Sequence, residues 1–117
     1  MAEAKPTIST HVLDLASGLP AEGFSIALFR LGDDGTPELL AEAETDADGR
    51  CRSLLRGELI AGSYQLVFDV AAYLEDQDRE EGFFENAAVG FRVDDPSRSY
   101  HVPLLLSPYG LSTYRGS

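Results

Sequence analysis

Two histidines, His11 and His101, are the only residues of their type in this 117-residue chain. Histidine is the side chain whose unperturbed titration falls near neutral pH, so it can both take and give a proton there. Strand-like alternation puts Ser9, His11 and Leu13 on one face of an early strand. It puts Ser99, His101, Pro103 and Leu105 on one face of a late one. Taken singly, either histidine reads equally well as a half-buried side chain satisfying local hydrogen bonds. Arg50 follows Asp48-Gly49 at a strand start, and Arg115 stands third from the end of the sequence. Taken singly, the first reads as a solvated side chain and the second as part of a frayed terminus. Judged singly, these bland readings dominate, and proton transfer by a histidine is the chemistry the residue types allow.

Other chemistries lack their signatures. The sequence has no G-x-S-x-G elbow, Walker loop or dinucleotide fingerprint. One cysteine, Cys51, and two histidines argue against a structural zinc site, and no metal is expected. Gly32-Asp33-Asp34-Gly35 reads as a hairpin turn, not a phosphate cradle.

The elements that must position these residues are short. Strands are expected over residues 7–14, 24–31, 38–45, near 50–55, over 63–70, 87–93 and 99–106, and near 111–115. Phe24, Ile26 and Leu28 face one way, as do Tyr64, Leu66, Phe68 and Val70, and Val89, Phe91 and Val93. Turn residues separate the strands at 16–20, 32–35, 46–49 and 94–97. Residues 71–81 break the alternation and read as one short surface helix ended by Gly82. About eight strands with frequent turns and one helix indicate an all-β, antiparallel two-sheet sandwich, and no linker or repeat divides residues 1–117 into more than one domain.

Composition narrows the partners. With 44% hydrophobic and 25% charged residues, the chain is ordinary globular material. Twenty acids against nine bases give a net charge of −11, which disfavours nucleic acid and anionic membranes. No apolar run approaches the roughly 20 residues of a membrane span, and no secretory leader is visible at the N-terminus. With a lone cysteine, these features place the protein in the cytoplasm. A domain of this size buries only about two thirds of its unfolded surface, so association with other subunits would help stabilise it.

Residues 8–14, Ile-Ser-Thr-His-Val-Leu-Asp, extended by Gly18-Leu19-Pro20-Ala21, resemble the opening signature of the transthyretin-like hydrolases. Thr45-Asp46-Ala47-Asp48-Gly49-Arg50 is similar to the second motif of that family, and residues 100–108 to its third. The final Tyr114-Arg115-Gly116-Ser117 resembles the terminal tetrapeptide that marks the enzymes. The chain departs from the family at Glu85-Asn86, where Pro-Glu commonly follows the two phenylalanines.

The resemblance implies a transthyretin-like sandwich, a homotetramer built as a dimer of dimers, and sites in clefts between dimers. It implies hydrolytic ring opening of 5-hydroxyisourate to 2-oxo-4-hydroxy-4-carboxy-5-ureidoimidazoline without a cofactor. His11, Arg50 and His101 are the implied catalytic side chains, and Tyr114, Arg115, Gly116 and Ser117 fold back to bind substrate. His11, assisted by Arg50, is expected to activate water while His101 and Arg115 hold the substrate. The residues themselves do not choose between the two histidines. A small-ligand carrier of the same fold is the alternative reading. An inert sandwich used as a scaffold is a third, and it leaves the motif set unexplained.

Overall fold

The computed structural model describes residues 5–80 and 82–117. The leader-free N-terminus expected from the sequence falls partly on residues 1–4, and the last residue of the expected helix is Glu81. Both lie outside the described residues.

Among the described residues there are ten strands and one helix. They are β1 (Ile8–Asp14), β2 (Leu19–Pro20), β3 (Ser25–Leu31), β4 (Pro37–Glu44), β5 (Arg50–Cys51), β6 (Gly62–Phe68), α1 (Val70–Asp76), β7 (Ala87–Val93), β8 (Tyr100–His101), β9 (Leu104–Ser107) and β10 (Gly110–Thr113). One sheet runs β10-β9-β1-β2, with β5 and β8 also paired to β1. The other runs β4-β3-β6-β7. The two-sheet sandwich is therefore the observed architecture. Two details differ from the sequence expectation. Ten strands replace about eight, because β2 forms as a separate piece and the strand expected over residues 99–106 divides into β8 and β9. The sandwich is also not wholly antiparallel, since β1 pairs in parallel with β8 and β9.

The expected strand over residues 99–106 splits because Pro103 has no N–H to give to the ladder. The gap is closed from β1. Thr10 Oγ1 donates to the Val102 carbonyl at 2.6 Å, and the Val102 N–H donates to the Ser9 carbonyl at 2.9 Å. The register does not slip across the break: Ser9 lies opposite His101 before it, and Val12 opposite Leu104 after it. Faces read from alternation therefore survive the interruption.

Alternation also fills the core. Ile8, Thr10, Val12 and Asp14 of β1 are buried, as are Ile26 and Leu28 of β3, Tyr64, Leu66 and Phe68 of β6, and Leu104 and Leu106 of β9. Phe24 meets the Phe68 ring edge-on at 6.3 Å and the Tyr73 ring at 5.0 Å. Each fully buried apolar side chain of this size is worth roughly 1.5–3 kcal/mol.

The helix is shorter than expected, ending at Asp76. Asp69 caps its start by accepting from the Ala72 N–H at 3.1 Å. Acids crowd its end, with Glu75 and Asp76 in the last turn and no base there, and negative charge opposes a helix C-terminus. The chain then turns through Asp78, at φ 54°, so that Arg79 points inward. There Arg79 meets the carboxylate of Asp14, which is 3% exposed and also accepts from the Tyr73 hydroxyl at 2.8 Å and the Ala16 N–H at 3.0 Å. Burial pushes the Asp14 carboxyl up, but the hydrogen bonds from Arg79 and Tyr73 outweigh it and hold the group below its ordinary value. Burial, and then the bond to Asp14, push the Tyr73 hydroxyl up to about 12.

Arg79→Ala should lower stability by about 2–3 kcal/mol. That is less than the roughly 3–5 for breaking a fully buried pair, because the Arg79 side chain is 26% exposed. Asp14 titrates below its ordinary value in the fold, so the ion pair contributes above the usual carboxylate range and is lost as pH falls through the lowered value. Urea unfolding of both proteins should show the gap at neutral pH and its narrowing in acid.

Candidate active site

Strand β1 is flanked on both sides at one end. On one edge β8 places His101 opposite Ser9. On the other edge β5 places Arg50 opposite His11. Three groups far apart in sequence thus arrive on neighbouring strands of one face, the face opposite the buried Ile8, Thr10 and Val12.

Arg50 owes its place to the turn before it. Asp46 Oδ1 accepts from the N–H groups of Asp48 at 2.9 Å and Arg50 at 3.0 Å. The Arg50 N–H is the main influence holding the Asp46 carboxyl below its ordinary value. Gly49 sits at φ +74°, and a Cβ there would come within 2.6 Å of the Val12 carbonyl oxygen, so both backbone angle and space require glycine. The Gly49 carbonyl in turn accepts from the Val12 N–H at 2.8 Å, locking the turn onto β1. Arg52 is held by Asp48 at 3.2 Å and Asp46 at 3.8 Å, whereas Arg50 has no ion pair among the described residues. The second motif therefore keeps Arg50's charge available.

His101 is half-buried. Its Nδ1 lies 2.8 Å from Ser9 Oγ. Its backbone carbonyl accepts from the Gly116 N–H at 2.8 Å, forming an isolated antiparallel bridge. Gly116 packs close against the His101 side chain, since a Cβ there would be 2.5 Å from His101 Cδ2. Burial, then the charge of Arg50, then that of His11 push the His101 pKa below its ordinary value. The imidazole is thus kept neutral at neutral pH and able to accept a proton.

Ser9, Thr10, Arg50, Arg52, Ser99, His101 and Ser117 line one cleft of about 430 Å³, and His11, opposite Arg50 on β1, is not among its lining residues. Tyr114 and Arg115 do not face it. They line a second hollow of about 240 Å³ with Phe91, Tyr100 and Val102, and the Arg115 guanidinium lies 5.0 Å from the Tyr100 ring centre. Tyr100 and His101 are consecutive and so point to opposite faces. The tail therefore grips both sides of β8: Arg115 on the Tyr100 face, Gly116 and Ser117 on the His101 face. Sequence reasoning brought His11, Arg50, His101, Gly116 and Ser117 toward one place, but passed over Ser9, whose position two residues before His11 was the available signal.

A larger hollow of about 750 Å³ lies against β3 and β4, but its charged lining is Glu42, Glu44, Asp69 and Glu85. Carboxylates alone repel an electron-rich ligand and supply no base matched to neutral pH, so the chemistry points to the smaller cleft.

An NMR titration of His101 should give a midpoint below the ordinary value of about 6.5. Arg50→Met should move it upward, because a nearby cation is lost. A midpoint unmoved by that substitution would show that Arg50 exerts no charge on the ring.

A model of the HIUase/Transthyretin family matches residues 8–116 of this chain. A 5-hydroxyisourate hydrolase of Mesorhizobium japonicum is 49% identical over 115 residues, covering 94% of this chain and 91% of the relative. Among solved structures, Klebsiella pneumoniae 5-hydroxyisourate hydrolase superposes with a TM-score of 0.84 at 38% identity, covering 96% of this chain and 99% of the other. Sea bream transthyretin in complex with thyroxine superposes with a TM-score of 0.85 at 31% identity, covering 93% of each chain.

Proposed function

The chain belongs to the HIUase/Transthyretin family, and on that premise we propose that it is a hydrolase that opens the ring amide of 5-hydroxyisourate. The observation that carries the reading is the meeting of His11, Arg50 and His101 across β1, with Gly116 bridged to His101. A carrier would need a binding channel but no unpaired arginine beside a histidine held neutral.

The reaction adds water across a carbonyl–nitrogen bond. We assign the water to His101 and not, as the resemblance implied, to His11, because His101 lines the cleft beside Arg50 and its Nδ1 is held by Ser9 Oγ at 2.8 Å. Oxygen attacks the carbonyl carbon, and the Arg50 guanidinium faces the charge that develops on the carbonyl oxygen. His11, opposite Arg50 in the register, hydrogen-bonds the substrate. The ring carbon–nitrogen bond then breaks, and the proton held by His101 passes to the departing nitrogen. The products of that cleavage, a carboxylate and a ureido nitrogen, are those of 2-oxo-4-hydroxy-4-carboxy-5-ureidoimidazoline. Arginine supplies the charge stabilisation, so the scheme uses no metal or cofactor. Ser117 contributes to substrate binding from within the cleft, while Tyr114 and Arg115 anchor the tail through Tyr100.

Freshly generated 5-hydroxyisourate absorbs in the near ultraviolet and decays slowly alone. The protein should accelerate that decay and keep doing so after treatment with a strong chelator. His11→Ala, Arg50→Ala and His101→Ala should each lower turnover by about 10²–10⁴ while the fold survives. Removing residues 115–117 should have a comparable effect. Decay no faster than in buffer would reject the hydrolase reading, and full turnover by the Arg50 variant would reject its electrostatic role.

We further propose that residues 1–117 act as one domain that assembles as a homotetramer, a dimer of dimers, in the cytoplasm. Strands β7 and β10 end their sheets and offer free edges for pairing with another copy. The outward face of β1 and β9 carries half-buried Leu13 and Leu105 beside the cleft, and Leu15 and Leu19 at the far end of β1 are more than half exposed. These are surfaces that a stacked dimer would cover. Cys51, buried and unpaired, suits a reducing compartment. Sedimentation should give about four subunits, and dilution should reduce activity and stability together. A fully active monomer would contradict the shared site.

A further inference from the structure

The His101 ring is bounded on two sides by groups that make it rigid. Ser9 Oγ holds Nδ1 at 2.8 Å, and the Gly116 backbone covers Cδ2. Nε2 is the one hydrogen-bonding atom of the ring left for a substrate. The parallel register fixes the partner, since Ser9 and His101 are opposite residues on β1 and β8. The Ser9 carbonyl is itself tied to the Val102 N–H at 2.9 Å, so the hydroxyl projects from an anchored backbone.

The type of partner matters. A carboxylate at this position would stabilise imidazolium and raise the histidine's pKa, opposing the effect of burial and of the nearby Arg50. A hydroxyl can accept from Nδ1–H or donate to bare Nδ1, and it adds no net charge. The hydrogen bond on one ring nitrogen decides which nitrogen is protonated. For Nε2 to present a lone pair to water, Nδ1 must carry the proton and donate to Ser9.

We propose that Ser9 is a positioning residue for His101: its hydroxyl fixes the ring's rotation and its Nδ1–H tautomer, leaving Nε2 free to exchange a proton with the reacting groups. This rests on the hydrolase reading above. The charged and titratable groups facing His101 among the described residues are His11 from β1, Arg50 from β5 and, paired to Asp46 and Asp48, Arg52 in the same cleft; Ser9 adds orientation without adding to their charge.

The test compares Ser9→Ala, Ser9→Thr, Ser9→Asp and His101→Ala in the intact protein, with ¹⁵N NMR of the imidazole as a readout independent of activity. Ser9→Ala should keep its thermal midpoint and KM, lose about 10–100-fold in kcat, and shift His101 from the Nδ1–H tautomer toward a mixture. Ser9→Thr should restore kcat to within a few-fold, because it restores the hydroxyl. Ser9→Asp should move the acid limb of the kcat profile to higher pH, because a carboxylate favours the protonated ring. Wild-type kcat in Ser9→Ala beside an inactive His101→Ala, or an unchanged tautomer, would overturn this inference alone. Undiminished turnover in His101→Ala would overturn it together with the mechanism on which it rests.

Discussion

A single buried hydroxyl carries the sheet across the place where Pro103 interrupts it. Thr10 Oγ1 donates to the Val102 carbonyl at 2.6 Å, taking up an acceptor that would otherwise be stranded in the core. Because that gap is closed, β8 and β9 stay in one register on β1, and His101 arrives beside Ser9 instead of one residue away. A one-residue slip would turn the imidazole into the core and Tyr100 into the cleft. The residues on either side of Thr10, Ser9 and His11, point outward toward the site. One tripeptide therefore supplies the sheet's repair and two residues of the candidate site.

The division of charge around the cleft follows similar economy. The chain carries a large excess of acid, yet two arginines, Arg50 and Arg52, enter the same cleft. Asp46 and Asp48 hold Arg52 through their side chains, while Asp46 Oδ1 meets Arg50 only at its backbone N–H. The same turn thus neutralises one guanidinium and spares the other. After burial, the spared cation is the next cause that holds the His101 pKa below its ordinary value.

Much of this is legible in the residues. Alternation groups the residues of β1, β3 and β6 onto the faces that the structure keeps, because a period of two bounded by turn residues is the signature of a half-buried strand and of little else. That Ser9, His11 and Leu13 share a face follows from the same pattern. Strand direction does not, since a sequence does not encode whether a distant segment returns parallel or antiparallel. The helix expected over residues 71–81 is too long because its acids look like solvated helix surface; its end is decided by Arg79 reaching Asp14, a contact between segments far apart in the chain. Arg115, expected to hold substrate, lies over the Tyr100 ring, 5.0 Å from its centre. That contact depends on which side of β8 the tail crosses, and the crossing is a tertiary fact. The family resemblance supplies His11, Arg50 and His101 as a set, which no single residue's chemistry could have done.

The topology bears on the order in which the molecule forms. The sheet β4-β3-β6-β7 joins segments in nearly sequential order, with β3 against β4, β3 against β6 and β6 against β7. Strand β1 has only β2 close in sequence; its contacts with β8 and β9 lie almost the whole chain away. Such distant pairings carry a larger loop-closure entropy and form slowly. During synthesis the first strand must therefore wait, one edge unpaired, until nearly the last residues emerge. The same logic runs in reverse under native conditions: an excursion that frees β8 and the tail dissolves the cleft while leaving the sequential sheet intact. Loss of activity should then precede loss of fold on gentle heating, and amide exchange should be faster in Ser9 and His101 than in Leu28 or Leu66.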